Sequence, residues 1–125
     1  MPENYKKKSF LKRVGFSFEG LKSAWEKEKN FRIQVVIAIL VIVFGFIFHL
    51  TINQWILVVI CIGLVLGAEL FNTALENLAD RITTDYDPII KTAKDISAAA
   101  VLIFAIISAI IGLLIFLPKI IRVFN

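Results

Sequence analysis

Three long apolar stretches constrain this chain more than any other feature. They run from about residue 33 to 50, from 55 to 79 and from 96 to 117, with few polar interruptions. A transmembrane helix needs about 20 mostly apolar residues to cross the hydrocarbon core of a bilayer. The chain has only 125 residues, and 58% of them are hydrophobic, which is more than a small water-soluble core can bury. The sequence therefore predicts a single all-α integral membrane domain over residues 1–125.

The segment before the first span has the pattern of a helix that lies on a membrane surface. Phe10, Val14, Phe18, Leu21 and Trp25 recur at helical spacing, and they fall within about 80° of arc when successive residues are placed 100° apart. Charged and small polar residues occupy the rest of the circumference. We therefore expect an amphipathic surface helix over about residues 9–30, followed by three transmembrane helices.

The distribution of Lys and Arg predicts the topology. Residues 1–32 contain nine of the fourteen basic residues and residues 80–95 contain three, whereas the connection at 49–54 contains none. Cytoplasmic segments are enriched in Lys and Arg, so we expect a cytoplasmic N-terminus, a cytoplasmic loop at about 80–95 and a C-terminus outside. Because the basic residues flank apolar spans, a membrane surface is a better partner for them than a nucleic acid.

Two prolines predict the limits of the third long helix. Asp87 is a favourable N-cap, and Pro88 suits the first helical position. This helix should therefore begin near Pro88, before its membrane span. Pro118 follows the apolar run directly, and we expect the helix to end there because proline interrupts helical hydrogen bonding.

A polar stripe runs along the cytoplasmic end of the second span. Glu69, Asn72, Glu76 and Asp80 are three or four residues apart and so share one face of a helix. At 1.5 Å per residue, Glu69 lies about 21 Å along the span from Trp55, just inside the expected cytoplasmic boundary. Acidic side chains at such a depth are costly and usually functional. Three helices alone offer little shielding from lipid, so we also expect an oligomer.

The residue types at this site favour phosphoryl transfer. Carboxylates without His or Cys beside them favour a hard cation such as Mg²⁺, and Lys94 can contact phosphates. A more deeply placed carboxylate can accept the proton of a lipid hydroxyl. The alternative from a different class is a small proton- or cation-conducting oligomer, since acidic stripes also line ion paths.

At these residues the chain resembles the small prokaryotic diacylglycerol kinases, a family that includes undecaprenol kinases. The stretch from Glu69 to Asp80 fits the family signature E-x-x-N-[ST]-A-x-E-x-x-x-D, where x is any residue. Ala93-Lys94-Asp95 and the acidic Glu28 before the first span also match. The resemblance covers nearly the whole chain. It implies a homotrimer in a prokaryotic plasma membrane that uses ATP and Mg²⁺ to phosphorylate a membrane lipid alcohol.

The resemblance also implies roles for individual residues. Glu69 would be the general base, with Asn72 and Asp80 supporting it. Glu28 and Glu76 would bind the metal. The implied contacts with ATP are Glu28, Glu76, Asp85, Tyr86, Asp87, Lys94 and Asp95.

Within the family, the residues point to two different lipid substrates. Ala98 and Gln34 stand where Gram-negative diacylglycerol kinases carry Ser and Glu. The tail from Gly112 to Lys119 looks like the Gram-positive members, which resemble undecaprenol kinases, whereas Trp25 and Arg32 look closer to the Gram-negative pattern. We expect undecaprenol to be the substrate, and diacylglycerol is the alternative.

Overall fold

The computed structural model describes residues 9–125, which form four helices and no strand. Helix α1 spans Phe10–Lys27, α2 spans Lys29–Ile47, α3 spans Ile52–Ile82 and α4 spans Pro88–Phe124. By length and composition, α2, α3 and α4 can each cross a membrane. The apolar side chains of α1 stay exposed along one face, as expected for a helix that lies on a lipid surface. The structure thus confirms the all-α membrane fold with a surface helix and three spans.

Helices α1 and α2 meet at a sharp corner formed by Glu28. This residue is extended, yet its backbone N–H still donates to the carbonyl of Ala24 at 2.9 Å. The guanidinium of Arg32 donates to the carbonyls of Trp25 and Glu26 at 2.8 and 3.0 Å. It thereby satisfies carbonyls that the end of α1 would leave unpaired. These contacts begin α2 at Lys29, four residues before the predicted start of the span, and hold Glu28 at the corner.

A short turn joins α2 to α3 and makes them antiparallel. His49 adopts φ 53, a left-handed conformation that is uncommon outside glycine. Thr51 and Gln54 then form a capping box. The Gln54 N–H donates to Thr51 Oγ1 at 3.3 Å, and the Thr51 N–H donates to Gln54 Oε1 at 3.0 Å. Because this cap satisfies the first backbone donors, α3 begins at Ile52, before the predicted residue 55.

Gly45 of α2 packs against the indole of Trp55. A Cβ added at Gly45 would lie 2.6 Å from the ring. We expect Gly45→Ala to lower the thermal unfolding midpoint in detergent by a few degrees. Overpacking of about 1–3 kcal/mol outweighs the gain in helix propensity of about 1 kcal/mol.

Gly15→Ala in α1 is the matched control, because nothing lies within 4 Å of the added carbon. Equal increases in midpoint for both variants would contradict this packing.

Helix α4 is longer than its predicted span at both ends. The Asp87 carboxylate accepts hydrogen bonds from the N–H groups of Ile89 and Ile90 at 2.9 and 3.2 Å. Residues 88–95 are therefore helical, and only residues 83–87 separate α3 from α4. The helix also continues through Pro118 to Phe124, so the expectation that it ends at Pro118 is wrong. Proline removes one helical hydrogen bond, but unwinding would expose several unpaired backbone groups to lipid at a higher cost.

Helix α3 is the central element of the bundle and packs against both α2 and α4. A small apolar cluster of Leu50, Val58 and Ile115 closes the end of the bundle at the α2–α3 turn. Most other large apolar side chains remain exposed on the single chain, and in a bilayer lipid or further subunits would cover them. The opposite end of the bundle contains the polar stripe.

Candidate active site

The polar stripe of α3 divides into a buried half and an open half. Glu69 and Asn72 are only 5% and 8% exposed. Glu76 is half-buried and Asp80 is exposed. The deeper residues are shielded within one chain because α2 packs against this part of α3. The expectation that shielding requires an oligomer is therefore wrong for Glu69 and Asn72.

Gln34 of α2 is the polar partner of Glu69. Its side-chain Nε2 donates to Glu69 Oε2 at 3.3 Å. The other amide atom, Oε1, is buried and has no hydrogen-bond partner among residues 9–125. The sequence analysis used Gln34 only to compare branches of the family and did not place it in the site. The available signal was a polar side chain within an otherwise apolar span, which is a position that usually has a function.

Asn72 connects the buried and the open halves of the stripe. Its Nδ2 donates to Glu76 Oε1, one turn along the same helix, at 3.3 Å. Its Oδ1 is buried without a hydrogen-bond partner in the described part of the chain. A buried oxygen of this kind is a suitable ligand for a hard cation or a suitable acceptor for a hydroxyl.

Glu28 joins the site from the corner between α1 and α2. The carboxylates of Glu28 and Glu76 both interact electrostatically with that of Glu69. Within residues 9–125, no three His, Cys, Asp or Glu side chains are grouped closely enough to enclose a metal. Mg²⁺ usually takes only one or two protein carboxylates and completes its shell with water and substrate phosphates. The oxygen donors of Glu28, Glu76 and Asn72 fit that mode of binding.

Lys94 connects α4 to the open end of the stripe. Its Nζ lies 2.5 Å from Asp80 Oδ1, and the two side chains are 34% and 54% exposed. Asp95 takes no part in this contact and pairs instead with Lys91, one turn earlier, at 2.6 Å. Of the two adjacent residues predicted to contact ATP, only Lys94 therefore meets the stripe within one chain.

Among residues 9–125, no hydrogen bond or ion pair joins the predicted nucleotide-binding residues between α3 and α4 to the stripe. The carboxylate of Asp87 is the N-cap of α4, which gives it a structural role. The Asp85 N–H donates to Thr83 Oγ1 at 3.1 Å, and Tyr86 is exposed. In the described residues, the side-chain hydrogen bonds of this segment stay within the loop and the first turn of α4.

Two grooves of different chemistry border the site. One, of about 530 Å³, lies between α2, α3 and α4; its lining is mostly apolar and includes Gln34. The other, also of about 530 Å³, lies between α1 and α3 and includes Glu28. The polar side chains of the second groove also include Ser17, Ser23, Lys27, Thr73 and Asn77. The first groove is thus suited to a hydrocarbon chain, and the second carries more polar side chains, among them the carboxylate of Glu28.

Comparison with known proteins identifies the family. Residues 15–116 match the family model of prokaryotic diacylglycerol kinase. The chain belongs to this family. It is similar to the undecaprenol kinase of Bacillus subtilis (strain 168), with 42% identity over 110 residues, which covers 88% of this chain and 89% of the relative.

The chain is also similar to two relatives that are named diacylglycerol kinase. The diacylglycerol kinase of Escherichia coli (strain K12) is 36% identical over 100 residues, which covers 80% of this chain and 82% of the relative. The diacylglycerol kinase of Helicobacter pylori (strain ATCC 700392 / 26695) is 34% identical over 96 residues, covering 77% and 75%. The chain is therefore a multi-pass membrane lipid kinase, as the motif at Glu69 to Asp80 implied.

Proposed function

We propose that this lipid kinase transfers the γ-phosphate of ATP to undecaprenol and forms undecaprenyl phosphate. The observation that carries the proposal is the buried carboxylate of Glu69, which Gln34 holds next to an apolar groove. Similarity to an enzyme named undecaprenol kinase favours undecaprenol. Similarity to enzymes named diacylglycerol kinase makes diacylglycerol the alternative acceptor.

In the proposed reaction, Glu69 is the general base. The lipid hydroxyl oxygen attacks the γ-phosphorus of ATP while Glu69 takes the hydroxyl proton. A bond forms between the lipid oxygen and the γ-phosphorus, the bond from the γ-phosphorus to the β–γ bridging oxygen breaks, and ADP leaves. Burial of Glu69 keeps out water, which would otherwise compete with the lipid as phosphate acceptor.

Lys94 is the proposed cation for the phosphates of ATP. Its ion pair with Asp80 is partly exposed, and such pairs contribute only about 0–1 kcal/mol, so a phosphate can replace Asp80 at little cost. Asp85, Tyr86, Asp87 and Asp95 would form the rest of the nucleotide site. Within residues 9–125 of one chain, no hydrogen bond or ion pair joins these four residues to the stripe. This supports a homotrimer in which a neighbouring subunit completes the site.

The proposed orientation of the protein in the membrane rests on its basic residues and agrees with the cytoplasmic source of ATP. The basic residues concentrate in residues 1–32 and 80–95, and cytoplasmic segments carry this excess. The N-terminus and the α3–α4 connection would then be cytoplasmic, where ATP is available, and the C-terminus would lie outside. The open half of the stripe would face the nucleotide.

Glu28 and Glu76 are the proposed residues for holding Mg²⁺, with Asn72 Oδ1 as a further oxygen donor. When bound, Mg²⁺ would supply charge neutralisation at the phosphate groups during transfer. The structural support is that the Glu28 and Glu76 carboxylates both interact electrostatically with Glu69. In addition, Asn72 Nδ2 donates to Glu76 at 3.3 Å, and Asn72 Oδ1 is buried without a partner in the described residues.

Neutral replacements of the two acids test the metal site. We expect Glu28→Gln and Glu76→Gln each to raise the Mg²⁺ concentration needed for half-maximal rate, or to abolish turnover, because an amide is a weaker ligand than a carboxylate. The measurement is the initial rate as a function of Mg²⁺ at fixed ATP. Glu26→Gln in the last turn of α1 is the control, because the Glu26 side chain forms a long, exposed contact with Lys22 and its bond to Arg32 uses the backbone carbonyl, which the substitution keeps. Unchanged Mg²⁺ dependence in both variants would remove these residues from the metal site.

The proposed activity can be tested in vesicles that contain undecaprenol and the purified protein. We expect radioactive phosphate from ATP to enter the lipid fraction only when protein, undecaprenol and Mg²⁺ are all present. No labelled lipid under these conditions would contradict the proposal. Proton flux across the vesicles without ATP, in the absence of lipid labelling, would support the ion-conducting alternative.

A further inference from the structure

Glu69 fixes the orientation of the Gln34 side-chain amide. In the ionised form that a base requires, both carboxylate oxygens of Glu69 can only accept hydrogen bonds. The amide must therefore turn its Nε2 toward Glu69, and the two atoms are 3.3 Å apart. The reverse orientation would place Gln34 Oε1 against a carboxylate oxygen. Oε1 consequently points away from the base.

The unpaired Oε1 of Gln34 lies in a surrounding that offers it no donor. It is buried and without a partner among residues 9–125, and Gln34 lines the apolar groove. Leaving such an oxygen unpaired is unfavourable, so this position favours a ligand that brings a donor.

The other polar members of the groove are too far away to be that donor. Phe48 packs against Phe116 with ring centroids 6.2 Å apart. From this contact, and at 1.5 Å per residue, Gln34 lies about 21 Å back along α2 and Ser108 about 12 Å back along α4. The two residues are therefore separated by roughly 9 Å along the axis of the bundle. Cys61 is eight residues from Glu69 on α3, or about 12 Å.

We propose that Gln34 is a substrate-positioning residue, whose Oε1 accepts a hydrogen bond from the lipid hydroxyl while its Nε2 holds Glu69. A long-chain alcohol brings one donor, its hydroxyl, and its chain can occupy the apolar groove beside Gln34. For the chemical step, the hydroxyl turns about its C–O bond, so that the hydrogen leaves Oε1 and is donated to the Glu69 carboxylate, which Nε2 of the same amide holds at 3.3 Å. This inference rests on the proposed function and extends it to the step in which the acceptor binds.

Binding of two lipids to two protein variants isolates the contribution of Gln34 to recognition of the lipid hydroxyl. The probes are undecaprenol and its methyl ether, which has the same chain but no hydroxyl hydrogen, and their binding is measured without ATP. Gln34→Met keeps the side-chain length but removes both the donor and the acceptor. We expect the wild type to bind the alcohol more tightly than the ether, and Gln34→Met to reduce that preference at least about fivefold. The comparison of two lipids on one preparation cancels any loss of folded protein.

Kinetics provide a second measurement and two matched variants. In Gln34→Met we expect kcat to fall and KM for the lipid to rise, while KM for ATP is unchanged. Gln34→His keeps one donor and one acceptor, so it should retain much more activity than Gln34→Met. Val36→Met on the exposed side of α2 should change none of these values. An unchanged alcohol-to-ether preference in Gln34→Met, in a protein whose wild type phosphorylates undecaprenol, would overturn only this inference. A wild type that neither prefers the alcohol nor phosphorylates it would overturn the proposed function as well.

Discussion

Replacing Glu69 by Gln should lower kcat by about 10²–10⁴-fold with little change in apparent affinity for ATP. The amide has nearly the same shape and can still accept the hydrogen bond that Gln34 donates at 3.3 Å. It cannot, however, take a proton from the lipid hydroxyl. The fold should therefore survive while the chemical step fails. The measurement is steady-state kinetics with the oligomeric state checked in detergent.

Glu69→Asp is the informative companion to this variant. It retains a carboxylate but withdraws it by one methylene from Gln34 and from the hydroxyl position, so we expect a low but measurable rate. If Glu69 were only a buried hydrogen-bonding group between α2 and α3, the order would reverse. The Gln variant would then be nearly normal, and the Asp variant would be the damaging one. That reversed order would contradict a role as base.

Replacing Lys94 by Ala should lower kcat/KM about 100-fold, since electrostatic stabilisation of a transition state typically contributes about 3 kcal/mol. Lys91→Ala is the matched control. Both lysines lie near the start of α4 and both form an ion pair, but Lys91 pairs with Asp95 on an exposed face whereas Lys94 pairs with Asp80 at the stripe. Losing either pair should affect stability little, because exposed pairs contribute about 0–1 kcal/mol.

The contrast between the two lysines decides whether the stripe meets ATP. We expect Lys91→Ala to retain nearly normal rates. Small and equal effects in the two variants would show that neither lysine contacts the transferred phosphate. A larger effect at Lys91 than at Lys94 would move the nucleotide to the exposed face of α4.

The sequence was sufficient to predict features that depend on local patterns. The three apolar stretches are long enough to span a bilayer whatever their neighbours are, and the apolar face of α1 follows from helical spacing alone. The spacing of Glu69, Asn72, Glu76 and Asp80 likewise determines that they share one face of α3. The match between Asp87-Pro88 and the start of α4 depends on backbone groups only a few residues away.

Features that depend on packing between helices could not be predicted in this way. The contact between Gln34 and Glu69 joins residues 35 positions apart, and its existence depends on how α2 rotates against α3. The partner of Lys94 is Asp80 on another helix rather than its neighbour Asp95, for the same reason. Helix α4 continues through Pro118 because losing one hydrogen bond costs less than exposing several unpaired backbone groups to lipid. A rule based on the local sequence does not include the lipid surroundings.

The most direct test is a competition between the two candidate lipids in one reaction. Vesicles containing equal amounts of undecaprenol and diacylglycerol receive the purified kinase, Mg²⁺ and ATP labelled in the γ-phosphate, and the lipid products are separated by chromatography. We expect most of the label in undecaprenyl phosphate, and almost none in either lipid with Glu69→Gln. Label mainly in phosphatidic acid would contradict undecaprenol as the preferred acceptor, and label retained by Glu69→Gln would contradict Glu69 as the base.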